Sequence, residues 1–226
     1  MRQLADDLWI HDRPQRFWGL EVGARMTVVR LADGSLLLHA PAPLDDTTRR
    51  ELDALGDVRY AVAPNRFHHL HAGGVAKTYP SARLWVGPGV PEKRPDLSFE
   101  SVLEDEPPAP WSGQLDQLFF RGRPMENEIV FFHRASRTLV LCDLAMNFGA
   151  SAPPVTRAVM SVLGGYGRFR PTRVDPLLIR DVAAARACMQ RILAWDFDRV
   201  IIAHGDVLET GGRETLRASY RWLLEG

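Results

Sequence analysis

The chain alternates short apolar runs with stretches of helical periodicity. In MTVVRLADGSLLLHAP, residues 26–41, two apolar, partly β-branched runs flank Asp33-Gly34. A DG pair in that setting predicts a hairpin, so two antiparallel strands are expected to open the domain. LDDTTRRELDALG follows, with Asp or Thr as N-cap, apolar residues at helical spacing and Gly56 as C-cap, which predicts a helix. VRYAVAP then reads as a strand halted at Pro64, FHHLHAGGVAKTYP as a turn entering a helix that ends before Pro80, and ARLWVGPG as another strand.

Residues 92–113 are rich in Pro, Glu and Asp and predict surface loop holding one short strand at most. EIVFFHRASRTLVLCDL predicts a hairpin turning at residues 133–137, with His133 facing solvent and Asp143 delivered at the end of the second strand. One helix is expected within residues 149–173, followed by a loop over residues 163–173 rich in Gly and Arg. That loop is an ordinary polar connection, or a mobile segment whose arginines meet an anionic substrate. DVAAARACMQRILAWD predicts an amphipathic helix, RVIIAHGD a buried strand ending in His204, and GRETLRASYRWLLEG a closing helix.

At 226 residues the chain suits one domain, residues 1–226. Twenty-eight basic residues balance 28 acidic ones, so no net field favours nucleic acid or an anionic membrane, and a small-molecule partner is expected. No stretch approaches the ~18 apolar residues of a membrane span, and the expected location is cytoplasmic. The two cysteines, Cys142 and Cys188, form no metal or redox pattern and are expected as reduced thiols.

Three of the seven histidines crowd into residues 68–71. Three strand ends therefore carry potential ligands: His68, His69 and His71 after one, Asp143 after another, and His204 with Asp206 after a third. If those strands share a sheet, their carboxyl ends converge. Imidazole and carboxylate together suit zinc, iron or manganese. Each residue has a structural alternative. His68 and His69 could cap a helix N-terminus, Asp143 could cap the next turn, and His204 could be a satisfied core histidine. His71 and Asp206 suit a supporting role around the ligands, Asp206 equally a turn cap.

The order of hairpin, helix, strand with histidine-rich turn, long hairpin ending in Asp, and late strand ending in AHG resembles the metallo-β-lactamase superfamily, in a branch whose domain has no assigned function. The resemblance runs from about Met26 to the last helix. It implies an α/β fold: an αββα sandwich with mixed sheets flanked by helices and one or two metals between them. The superfamily's His-x-His-x-Asp-His turn, laid on FHHLHAGG, puts its Asp-His pair on His68 and His69, or on Phe67 and His68. The two preceding histidines then fall on Pro64 and Arg66, or on Ala63 and Asn65, and a further one falls near Pro124. The ligands of the first metal are thus absent, while Asp143 matches the bridging aspartate of the second and His204 its last histidine.

What the resemblance implies is one divalent metal, zinc first and iron or manganese as alternatives, held by His68, His69 or both with Asp143 and His204. Glu126 or Glu128 could add a carboxylate. The expected activity is metal-dependent hydrolysis by activated water, with Asp143 and His204 catalytic, or single-iron redox chemistry as a variant. The alternative is a non-catalytic binding or interaction module, in which Arg66 enters the vacated pocket and neutralises Asp143.

Overall fold

The computed structural model describes residues 1–226. β1 (Arg2–Ala5) and β2 (Leu8–Arg13) pair antiparallel at one edge. β3 (Arg16–Phe17) and β4 (Leu20–Glu21) make a small separate hairpin. β5 (Ala24–Arg30) and β6 (Leu36–His39) are the strands joined through Asp33-Gly34. α1 (Asp46–Leu55) is capped by Asp45, whose carboxylate accepts the Thr48 N–H at 2.7 Å, and ends at Gly56. Then come β7 (Val58–Ala63), α2 (Ala72–Thr78), β8 (Arg83–Val86), α3 (Val90–Lys93) and β9 (Ser101–Val102). Seven of these strands form one mixed sheet in the order β1-β2-β5-β6-β7-β8-β9.

The second sheet has the order β10-β11-β12-β13, from β10 (Leu115–Phe119), β11 (Ile129–His133), β12 (Thr138–Val140) and β13 (Arg199–Ile201), the last pair parallel. Between β12 and β13 lie α4 (Pro154–Leu163), α5 (Asp175–Leu178) and α6 (Val182–Ala194). α7 (Gly212–Ser219) and α8 (Arg221–Glu225) close the chain. No helix is long and apolar enough to cross a membrane.

Strand alternation sorts the core into three apolar layers. Leu8, Ile10, Leu37, Val62, Phe131, Val140 and Ile201 meet between the sheets around the buried Trp111. Their neighbours Trp9, Leu36, Leu38, Ala61 and Ala63 turn outward under Leu52 of α1 and Val75 of α2. On the other sheet Val130, Phe132, Leu139, Val200 and Ile202 pack on α6 and on Leu216 of α7. Both faces of each sheet are covered, which is why strands such as LLLH read as unbroken apolar runs. The result is an αββα sandwich of mixed sheets flanked by helices.

Several expectations are corrected. The domain opens on β1 and β2, not on the hairpin at residues 26–41. β10 goes unanticipated because two of its five residues are polar: Asp116 pairs with Arg134, and Gln117 is buried against Trp111. His133 is buried as the last residue of β11, its Nδ1 2.7 Å from Ser136 Oγ, instead of facing solvent in the turn. The closing helix breaks at Tyr220, whose hydroxyl donates to the Leu144 carbonyl at 2.6 Å inside the core. The strand ends bearing histidine and aspartate belong to different sheets: β7 to the larger, β12 and β13 to the smaller.

Candidate metal centre

After β7 the chain turns on Asn65, which is fully buried. Its side-chain oxygen accepts the N–H groups of Phe67 (2.9 Å) and His68 (2.8 Å), an Asx-type turn that fixes where His68 leaves the sheet. Its amide nitrogen donates to Asp143 Oδ2 at 2.7 Å. One side chain thus sets the histidine turn and the aspartate on the opposite sheet together.

Asp143 follows β12 by three residues and is held from below. The Glu128 carboxylate accepts the N–H groups of Cys142 and Asp143, both at 2.7 Å. His204 follows β13 and is bracketed by Arg25, which donates to the Ile202 carbonyl (2.7 Å) and the Gly205 carbonyl (2.9 Å) while its Nε binds Asp12. Gly205 has φ +97°, and a side chain there would run into the Asn147 carbonyl, so only glycine allows the turn.

His68, Asp143 and His204 offer one ligand atom each within 4.8 Å of one another. Asp143 Oδ1 lies 3.4 Å from His68 Nε2 and 3.5 Å from His204 Nε2, and the imidazole centroids are 5.2 Å apart. His204 Nδ1 sits 2.8 Å from the Gly23 carbonyl. A carbonyl only accepts, so Nδ1 donates to it and Nε2 is the ring nitrogen left to face Asp143. A cation placed there would meet this nitrogen and the Asp143 carboxylate together. The donor set fits a divalent ion with three protein ligands and open positions.

The surroundings are strongly electrostatic. Burial would raise the pKa of Asp143, but the charges and hydrogen bonds of His68 and His204 hold it well below the usual carboxylate range. Burial, with the neighbouring Asp143 carboxylate, pushes Glu128 up to about 8. Arg123 is buried, pairs with Glu126 at 2.8 Å and with Asp175, and donates to the Asp143 carbonyl at 3.3 Å.

Residues 5–166 match the model of a family described as Domain of unknown function (DUF4336). The chain belongs to the DUF4336 family. A comparison with curated protein sequences gives no match. Among solved structures, the DUF4336 chain is similar to a metallo-beta-lactamase from Pontibacter korlensis, with 14% identity, TM-score 0.64, and 99% of this chain and 97% of that one covered. A metallo-beta-lactamase from Erythrobacter litoralis gives 15%, 0.66, 99% and 93%. FIM-1 from Pseudomonas aeruginosa in its mono-zinc form gives 12%, 0.62, 99% and 92%. At such identities the likeness establishes the fold: this DUF4336 chain has the metallo-β-lactamase architecture.

Within the DUF4336 chain the other sequence-predicted residues lie apart from the three that converge. His69 is buried against Arg94, whose guanidinium donates to the His69 carbonyl at 3.2 Å and lies 3.5 Å from its Nδ1. His71 precedes α2 and makes no side-chain cap bond. The carbonyl of Gly23, not the Asp206 carboxylate, occupies His204 Nδ1, and Asp206 Oδ2 packs against Gly149. Arg66 turns away from Asp143 and donates to the Pro124 carbonyl at 2.9 Å. Two positions that the superfamily motif would give to first-metal histidines thus bind each other. Glu126 serves Arg123, and Glu128 supports the backbone of Asp143. The loop at residues 163–173 is docked, with backbone bridges from Arg170 to Met146 and from Tyr166 to Phe148.

Sequence reasoning passed over Arg25 and Arg123 and gave Asn65 no role of its own. An asparagine directly after a buried strand and proline is an Asx-turn signal that could have flagged Asn65. Nothing in the local pattern marks the two arginines, because their partners lie far along the chain.

Proposed function

We propose that this protein is a mononuclear metal-dependent hydrolase acting on a small molecule, with the ion held by His68, Asp143 and His204. What supports this reading is the convergence of three potential ligand atoms within 4.8 Å, one of them the Nε2 of a ring held in place through its Nδ1 by the Gly23 carbonyl. Zinc suits this imidazole and carboxylate set first, then iron or manganese. A structural neighbour solved in a mono-zinc form is in keeping with a single ion. When bound, the ion supplies Lewis acidity and acidifies water at a hydrolysable carbonyl or phosphoryl bond.

The chain's own groups have separable tasks. Gly23 orients the ring of His204, and Asn65 occupies one oxygen of Asp143, leaving the other to face both imidazoles. Glu128 and Arg123 secure the backbone of Asp143 from beneath. These supports keep the ligands in place before any ion arrives, which lowers the ordering cost of binding.

The test is elemental analysis of untagged protein purified without chelator, beside Asp143→Ala and His204→Ala. We expect about one zinc, iron or manganese per chain, following the one-ion site, and its loss in both variants. Protein that carries no metal and takes up none at micromolar supply would refute the proposal.

A further inference from the structure

We infer that the cleft beside His204 holds an anionic group, a carboxylate or a phosphate, of the small molecule, with Arg13 as its anchor. Only the identification of that molecule as substrate rests on the hydrolase reading. The cleft measures about 540 Å³, and Arg13, Glu21, Gly23, Ala203, Gly205 and Asp206 are among the residues lining it. It shares a wall with the metal centre, since the carbonyl of Gly23 is the group that orients His204. Arg13 ends β2 opposite Ala24, the residue after that glycine.

The Arg13 guanidinium is half-buried, yet no carboxylate lies within ion-pair distance of it. Its one side-chain bond runs from Nη1 to the uncharged Gln15 Oε1 at 2.5 Å. The neighbouring acids are engaged elsewhere: Asp12 with Arg25, and Glu21 with the Gln15 N–H and Arg16. Asp206 is exposed and packs its carboxylate on Gly149. Burial pushes Arg13 below its ordinary pKa with no anion to offset it, and its charge adds to burial in depressing His71.

A cation partly stripped of water without a counter-ion is unfavourable, and four of its five N–H donors remain available. A planar carboxylate or a phosphate answers both deficits with parallel hydrogen bonds to the fork, which an ammonium would not reproduce. A cationic ligand is excluded from the same place by Arg13 itself.

The experiment uses the full chain freed of metal by chelator, at constant ionic strength, with inorganic phosphate and succinate as separate probes. Binding is followed by calorimetry and by the Arg13 Nε–H resonance. We expect saturable binding that shifts this resonance, weakened about tenfold or more in Arg13→Gln and less in Arg13→Lys. Preference between the probes tells phosphate from carboxylate. No saturation by ~10 mM, or equal binding by a cooperatively melting Arg13→Gln, would overturn the inference. Should that variant fail to fold, an unmoved Arg13 resonance in the unaltered protein is the overturning result. Because metal is absent throughout, this outcome is independent of the metal analysis, and either proposal can fail alone.

Discussion

His39 ends β6 fully buried, its ring edge-on to Phe131 at 5.3 Å and its Nε2 without a hydrogen-bond partner. Burial, reinforced by His68, pulls its pKa down to about 3. Below pH ~6.5 the unfolded chain takes up a proton that the folded chain refuses. Stability present above that pH is therefore lost progressively as pH falls toward 3, at up to about 1.4 kcal/mol per unit from this residue. His39→Phe is expected to flatten the dependence of urea-unfolding free energy on pH between 6.5 and 4.5, and an unchanged slope would refute the assignment. His68, Asp143 and His204 are all legible in the sequence, because each is a polar residue shortly after an apolar run. His39 hides inside such a run. Asn65, Arg25 and Arg123 act through partners many residues distant, and a local pattern carries no record of those partners.

The elements built on alternation or on capping residues are legible: the β5–β6 hairpin through its DG turn, and α1 through Asp45 and Gly56. β10 is not, since its inward position is filled by Gln117. That side chain accepts the Trp111 indole N–H at 3.0 Å and donates to the carbonyls of Glu104 (2.7 Å) and Glu106 (3.1 Å). It stitches the acidic loop to the middle of the sandwich, a polar knot in an apolar layer. Gln117→Leu keeps the volume but strands the indole and both carbonyls, for a loss of about 2 to 4 kcal/mol. Denaturant titration at unchanged m-value checks it, and a neutral result would show that water satisfies those groups.

Across the whole molecule, Arg123 is the buried cation that links the turn before β11 with α5 through Asp175, with Glu126, and with the carbonyl of Asp143. Burial raises the pKa of Glu126 and Asp175, with Arg123 opposing. Arg123→Met would leave these carboxylates without their cation, at a cost of about 3 to 5 kcal/mol. Converting Asp175 to Asn alongside should recover part of the loss, and calorimetric melting of the single and double variants measures how much. Additive losses would mean that the two residues are not coupled.

The division of the candidate ligands between the sheets gives the proposed centre a second character. His68 rides on the larger sheet, Asp143 and His204 on the smaller, and the layer around Trp111 and Phe131 sets the offset between them. The three candidate ligand atoms are the jaws of a calliper whose opening is adjusted from the interior. A change of side-chain volume far below the rim can widen or narrow the gap, and so would alter which ionic radius the proposed centre accepts, with all three candidate ligands left intact.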